Sequence, residues 1–207
     1  MTDALWYAGR GSGLISLVLL SLVVVLGIAT RSGRPLPGLS PYVVTAVHRS
    51  AGLLSVVFLL VHVVTLLFDP YAQLDLIALV VPFTAASSPF WYGLGALALD
   101  LLAAVTVTSL LRTRLGPRTW RGVHYLAYAC WPIAVLHGVG SGSDTTTAWS
   151  LTVLGICVAG VLGAVGWRLS ERFGQADRPA AGRAPGRGGR SATTLPEPTT
   201  RPVELRP

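Results

Sequence analysis

Two apolar stretches carry every histidine of the chain: YVVTAVHRSAGLLSVVFLLVHVVTLL, residues 42–67, and WRGVHYLAYACWPIAVLH, residues 120–137. The first holds His48 and His62, the second His124 and His137, and the whole sequence has 4 histidines. Each stretch comes close to the roughly 20 mostly apolar residues that a helix needs to cross a hydrocarbon layer. Ionisable side chains are rare in such surroundings, and by default they mark a functional site.

The composition around these stretches agrees with a membrane setting. The 207 residues are 52% hydrophobic and 12% charged, with a mean hydropathy of +0.60. Soluble domains are about 25% charged, so an ordinary soluble enzyme is excluded. Residues 90–111 and 148–167 form two further apolar runs of spanning length. Residues 14–30 form another, extended backward to Trp6 and Tyr7, whose rings suit the bilayer interface. Its basic residues, Arg31 and Arg34, follow the apolar run instead of preceding it, which argues against a cleaved signal. The expected architecture is an all-α membrane bundle of five transmembrane helices. It divides into an N-terminal extracytoplasmic segment (1–11), a transmembrane domain (12–169) and a cytoplasmic tail (170–207).

Residues 73–88 are apolar in the middle but short, with Asp75 and Pro82, and read as an interfacial segment. Charge distribution supports that choice. With five spans, Arg31, Arg34 and Arg49 share a face with Arg112, Arg114, Arg118, Arg121 and the Arg-rich tail. The other face receives Asp69, Asp75 and Asp144, with Arg10 its lone Arg. Loops rich in Arg stay cytoplasmic, so the N-terminus is expected outside and the C-terminus in the cytoplasm, in a plasma membrane. The net charge of +7 comes from Arg, with no Lys. From Gly174 onward Pro, Gly, Arg, Ser and Thr dominate, a composition expected to be disordered. Contact with anionic headgroups is open to its arginines, and no nucleic-acid partner is expected.

Five spans make the two histidine helices parallel. His48 and His124 then lie near the cytoplasmic surface, and His62 and His137 near the outer one. The spacings of 14 and 13 residues correspond to roughly 21 and 20 Å of helix rise. Matched levels give two bis-imidazole sites, one above the other, and imidazole is an ordinary axial ligand of haem iron. Two b-type haems are expected, or one if a site fails. A structural, hydrogen-bonded role remains the plain reading of any single membrane histidine. A zinc site needs about four ligands around one ion, which pairs separated by ~20 Å do not offer. Phase is the weak point. His48 and His62 differ by about 40° around a helix, but His124 and His137 differ by about 140°. Pro132 lies between the latter two, and a proline kink is the expected correction.

The sequence also resembles the ferric reductase-like transmembrane cytochromes. That group includes the membrane domains of ferric reductases and NADPH oxidases, and the haem subunit of the bacterial methionine sulfoxide reductase system. The likeness rests on the paired histidine spacings, on Thr108-Ser109, and on Trp120-Arg121-Gly122-Val123-His124-Tyr125. It implies that His48 pairs with His124 on an inner haem and His62 with His137 on an outer one. A chain of this kind is expected to be the haem subunit of a transmembrane oxidoreductase. It would carry electrons from a quinone or a separate flavin reductase to an extracytoplasmic acceptor, either ferric iron or a flavin-bearing redox subunit. Larger members carry flavin and nicotinamide domains; here no GxGxxG follows a predicted strand, so flavin or quinone enters only through a partner. The competing class is a non-redox transporter or scaffold that uses the histidines for metal or proton movement.

Further candidates surround the histidines. Arg49 and Arg121 suit haem propionates, since a guanidinium binds carboxylates through two bonds; Arg10 is the outer counterpart. Asp100 is the one acid in mid-span and is expected to face the bundle interior, in a proton or haem-tuning role or bonded to Ser55 or Thr106. Cys130 and Cys157 sit in apolar runs as small hydrophobes, and no CxxCH occurs. Gly155, Gly160, Gly163 and Gly166 are expected to serve packing of the last span. Tyr125, Tyr128 and Trp131 are candidates to flank a porphyrin, and residues 138–147 to shape an acceptor site.

Overall fold

The computed structural model describes residues 2–31, 40–70, 72, 74–142 and 147–176, with side chains undescribed at residues 2, 3, 31 and 171–176. Expectations that rest on Arg34, on Asp144, on most of residues 143–147 and on the tail from 177 lie outside these residues. The described chain is all α: α1 (Thr2–Arg31), α2 (Pro41–Leu67), α3 (Leu76–Val80), α4 (Pro89–Leu110), α5 (Pro117–His124), α6 (Ala127–Ser141) and α7 (Ala148–Ala176). The segment expected as an extracytoplasmic lead, 1–11, is helical from Thr2 and continuous with the first span.

Local chemistry sets several helix starts. The Ser40 hydroxyl accepts from Val43 N at 3.3 Å, and Pro41 follows in the first turn, where its missing N–H costs nothing. Prolines likewise open α4 and α5. Asp75 caps the short α3 by accepting from Ala78 N at 2.7 Å. Asp75 and the five apolar residues after it thus make one turn and a half of helix, too short to span, with Leu76, Ile77 and Val80 exposed.

Among the described residues four helices are long and apolar enough to cross a membrane: Ala4–Thr30, Pro41–Leu67, Pro89–Leu110 and Ala148–Ser170. The fifth expected span, residues 120–137, is not a single helix. It divides at Tyr125 and Leu126 into α5, polar and basic, and α6 of 15 residues. The division has a physical source. Around the division, Leu126 N bonds Val123 O, Tyr128 N bonds Tyr125 O and Ala129 N bonds Leu126 O, all three residues back instead of four. This is 3₁₀ winding, three residues per turn with a rise of about 2.0 Å. Pro132 lies inside α6 without ending it.

The helices pack as two pairs. α1 lies along α2, and α4 along α6, with α5 and α3 also against α4; α1 meets α6 and α7 and so joins the pairs. Leu20, Val24 and Ile28 of α1, Ala98 and Leu102 of α4, Cys130 and Trp131 of α6 and Val161 of α7 form the core. Buried polar groups on α1 find partners across it. Ser16 donates to Ser55 O at 2.9 Å, and Ser21 accepts from Trp131 Nε1 at 2.8 Å. Small residues such as these let membrane helices approach closely. The last span differs from expectation: a Cβ added at Gly155, Gly160, Gly163 or Gly166 would meet nothing within 4 Å.

Candidate functional site

The four imidazoles converge as two pairs. His48 and His124 have ring centroids 6.3 Å apart at an interplanar angle of 65°, and His62 and His137 are 6.4 Å apart at 76°. Winding accounts for the second member of each pair. Over about four residues, 3₁₀ geometry adds roughly 20° per residue to the α rotation and roughly 0.5 Å per residue to the rise. The roughly 140° misfit between His124 and His137 falls to about half, and 13 residues then climb about as far as 14 residues of α-helix. The turn at Tyr125–Leu126 thus supplies about half of the correction needed between His124 and His137, beside whatever bend Pro132 adds within α6.

A neighbouring helix fixes each ring. His62 Nδ1 donates to Gly9 O at 2.6 Å, His48 Nδ1 to Val23 O at 3.0 Å and His137 Nδ1 to Trp91 O at 2.8 Å. Because a carbonyl can only accept, the proton sits on Nδ1 and the lone pair on Nε2, the state a metal-binding imidazole needs. Four residues beyond each of these carbonyls stands a glycine. A Cβ at Gly13 would lie 2.8 Å from His62 Nδ1, one at Gly27 3.3 Å from His48 Cε1, and one at Gly95 2.6 Å from His137 Cε1. Each glycine therefore clears the space through which an imidazole reaches the helix backbone. The fourth ring is held differently. His124 Nδ1 lies 3.4 Å from Ser109 Oγ, and its face stacks on Trp120 at 5.2 Å.

None of these backing residues is singled out by composition. A signal does exist in spacing: Gly13 and Gly27 on α1 are 14 residues apart, as are Gly95 and Ser109 on α4, and as are His48 and His62. Two helices repeat the interval of the histidines they brace.

The His62/His137 pair opens on a cavity of about 530 Å³. It runs from Leu102 and Cys130 past His62 and His137 to Arg10 and Asp69. Arg10 also lies over the Trp6 ring, 5.1 Å from its centroid. The donor set and the spacing fit haem. An iron bonded to two Nε2 atoms at roughly 2 Å, with roughly 1 Å more from each nitrogen to its ring centre, needs centroids roughly 6 Å apart. Among the described residues no group of three His, Cys, Asp or Glu is placed to hold a metal without a macrocycle.

Other candidates are placed less centrally. Arg49 is exposed beside His48, and Arg121, also exposed, donates its Nε to Pro117 O at 3.0 Å. Asp100 is exposed on the outward side of α4 and is not brought to the histidines, whose Nδ1 atoms have other partners. Ser55, one of its two expected partners, donates to Gly52 O at 2.8 Å instead. Trp131 is engaged with Ser21, and Tyr125 and Tyr128 stack on each other at 6.2 Å, both exposed. Cys130 donates to Ala98 O at 3.4 Å within the core, and both cysteines are free thiols.

Comparison with known proteins bears on the same residues. Residues 12–135 match the family described as ferric reductase like transmembrane component, a span that includes His48, His62 and His124 and stops just short of His137. No curated protein and no solved structure matches the chain. The matched span takes in more than half of the sequence and the backing glycines of α1 and α4 as well as three of the four histidines; the chain belongs to the ferric reductase-like transmembrane family, and is a multi-helix membrane protein of a redox class.

Proposed function

We propose that the protein is a dihaem b-type cytochrome that conducts electrons across the bilayer. His48 and His124 hold the inner haem, and His62 and His137 the outer one. The observation that carries this reading is the repeated geometry: two imidazole pairs at 6.3 and 6.4 Å, with three of the four rings tied through Nδ1 to backbone carbonyls. When bound, the haem irons supply reversible one-electron chemistry. The chain's own residues orient the rings, keep Nε2 available and shape the enclosing space. Backbone acceptors make the ligand imidazoles more basic, which favours ferric iron. Arg10 at the outer mouth, and Arg49 and Arg121 at the inner surface, supply the charges that receive propionates.

The Arg-rich loops support a cytoplasmic position for the His48/His124 level. Electrons then enter there from a quinone or a separate flavin reductase. They leave at the His62/His137 level to ferric iron or a partner redox protein, so the chain works as the haem subunit of an oxidoreductase. The test is a reduced-minus-oxidised absorption spectrum of the purified protein produced with haem available, together with a haem-to-protein ratio. The expected result is b-type bands with a ratio near two. Absence of the bands would overturn the proposal in favour of a non-redox role, and a ratio near one would reduce it to a single site.

A further inference from the structure

Asp100 sits at the middle of α4, five residues from Gly95 at the outer histidine level and nine from Ser109 at the inner one. Its side chain is exposed and makes no hydrogen bond or ion pair with any described residue. α4 packs through its other side against α6, α5 and α3, burying Gly93, Leu94, Ala96, Ala98, Leu102 and Val105. Asp100 instead shares a stripe with Ala103, Val107 and Leu110, all exposed. In a bilayer that stripe meets hydrocarbon, where an intramembrane acid is costly unless it is paired. Long basic side chains escape by reaching to the headgroups; the single methylene of Asp is too short to do so from mid-span.

We propose that this face of α4 docks a membrane-spanning helix of a different polypeptide, one carrying an Arg or Lys near its middle. Charge complementarity selects that occupant. Ala103, one turn from Asp100, leaves room for a close approach. A second copy does not supply the partner. Its arginines with described side chains are Arg10, at the level of His62, and Arg49, Arg112, Arg114, Arg118, Arg121 and Arg168, at or beyond the inner histidine level or near the end of α7; Arg31 and Arg172, described in backbone alone, stand at the ends of α1 and α7. Its imidazoles are committed to the backbone and to Ser109. A symmetric contact through this face would also oppose one carboxylate to another.

The experiment uses the full chain, fluorescently labelled, in phosphatidylcholine vesicles with synthetic Leu-rich transmembrane peptides. These carry a single central Arg, Leu or Asp. Energy transfer is expected to report binding of the Arg peptide about tenfold or more tighter than the Leu peptide, a preference that Asp100→Leu abolishes. Asp100→Arg should transfer the preference to the Asp peptide, which a variant that merely misfolds cannot do; far-ultraviolet circular dichroism checks the helix content of both. Equal binding of the Arg and Leu peptides by the native chain overturns the proposal, as does a preference that survives Asp100→Leu. Dimers of the native chain that Asp100→Leu dissociates overturn it too, because the occupant is then a second copy. No haem signal enters these readouts, so failure here is separate from failure of the dihaem reading.

Discussion

The outer and inner histidine pairs have nearly the same ring separation but are held by different materials. At the outer level both imidazoles bond main-chain carbonyls, and both press against glycines so closely that an added methyl would lie 2.6–2.8 Å from a ring atom. At the inner level His48 repeats that arrangement with more room, 3.3 Å at Gly27, while His124 rests on a serine hydroxyl and a tryptophan face. Backbone is stiff and indifferent to mutation of its own side chain, so the outer site is rigid and intolerant of bulk. The inner site depends on two side chains that substitution can change one at a time. The outer pair is built for fixed geometry and the inner pair for adjustment.

The largest test of this contrast removes a ligand from each site. His137→Ala is expected to abolish the outer haem and halve the b-type absorbance, leaving the inner haem's midpoint potential close to native. His124→Ala should do the reverse. If either variant removes both haems while helix content is retained, the two sites are not independent. A smaller effect separates the glycines. Gly95→Ala must displace His137 and should cost about 1–3 kcal/mol in thermal stability, with partial loss of the outer haem. Gly27→Ala, which needs a shift of only a few tenths of an ångström, should lose much less of the inner one. Equal losses would remove the distinction between tight and loose backing. Ser109→Ala is expected to give the smallest change, about 0.5–1.5 kcal/mol for the lost hydrogen bond. Loss of the Ser109 hydroxyl weakens the hydrogen bonding around His124, so the inner haem's potential is expected to rise in a spectroelectrochemical titration while the outer stays put. Ser109→Gly offers His124 the carbonyl arrangement of the other three and should move that potential the opposite way.

The sequence makes the histidine pairs readable but not their supports, and the reason is physical. Spacing along one helix translates directly into rise and phase, so His48 and His62 can be assigned to one stripe before any packing is known. Which carbonyl faces an imidazole depends on how α1 lies against α2, a contact between residues about 50 positions apart. The same limit explains two differences. Trp120 to His137 has nearly the length of a span, yet its first residues belong to the polar, basic α5 and its hydrogen bonds slip to three-residue rings at Tyr125–Leu126, which spacing along the sequence does not register. Asp100 has the chemistry of an interior group, but the face it occupies was decided by Gly95 and Ser109, which α4 turns toward the histidines. The four glycines of α7 suggest close packing, and the described chain leaves them uncovered.

The overwound turn also governs which changes of length the chain can absorb. An extra residue in α2 or α4 rotates everything beyond it by about 100° and would carry one ring or one support out of line. An extra residue beside Leu126 meets a segment already wound tighter than its neighbours. If the turn relaxes to α winding, 14 residues separate His124 from His137, and the ladder of both helices keeps time with α4. The junction is a slack-adjuster, the place between the two histidine levels where an insertion can arise without misaligning a site.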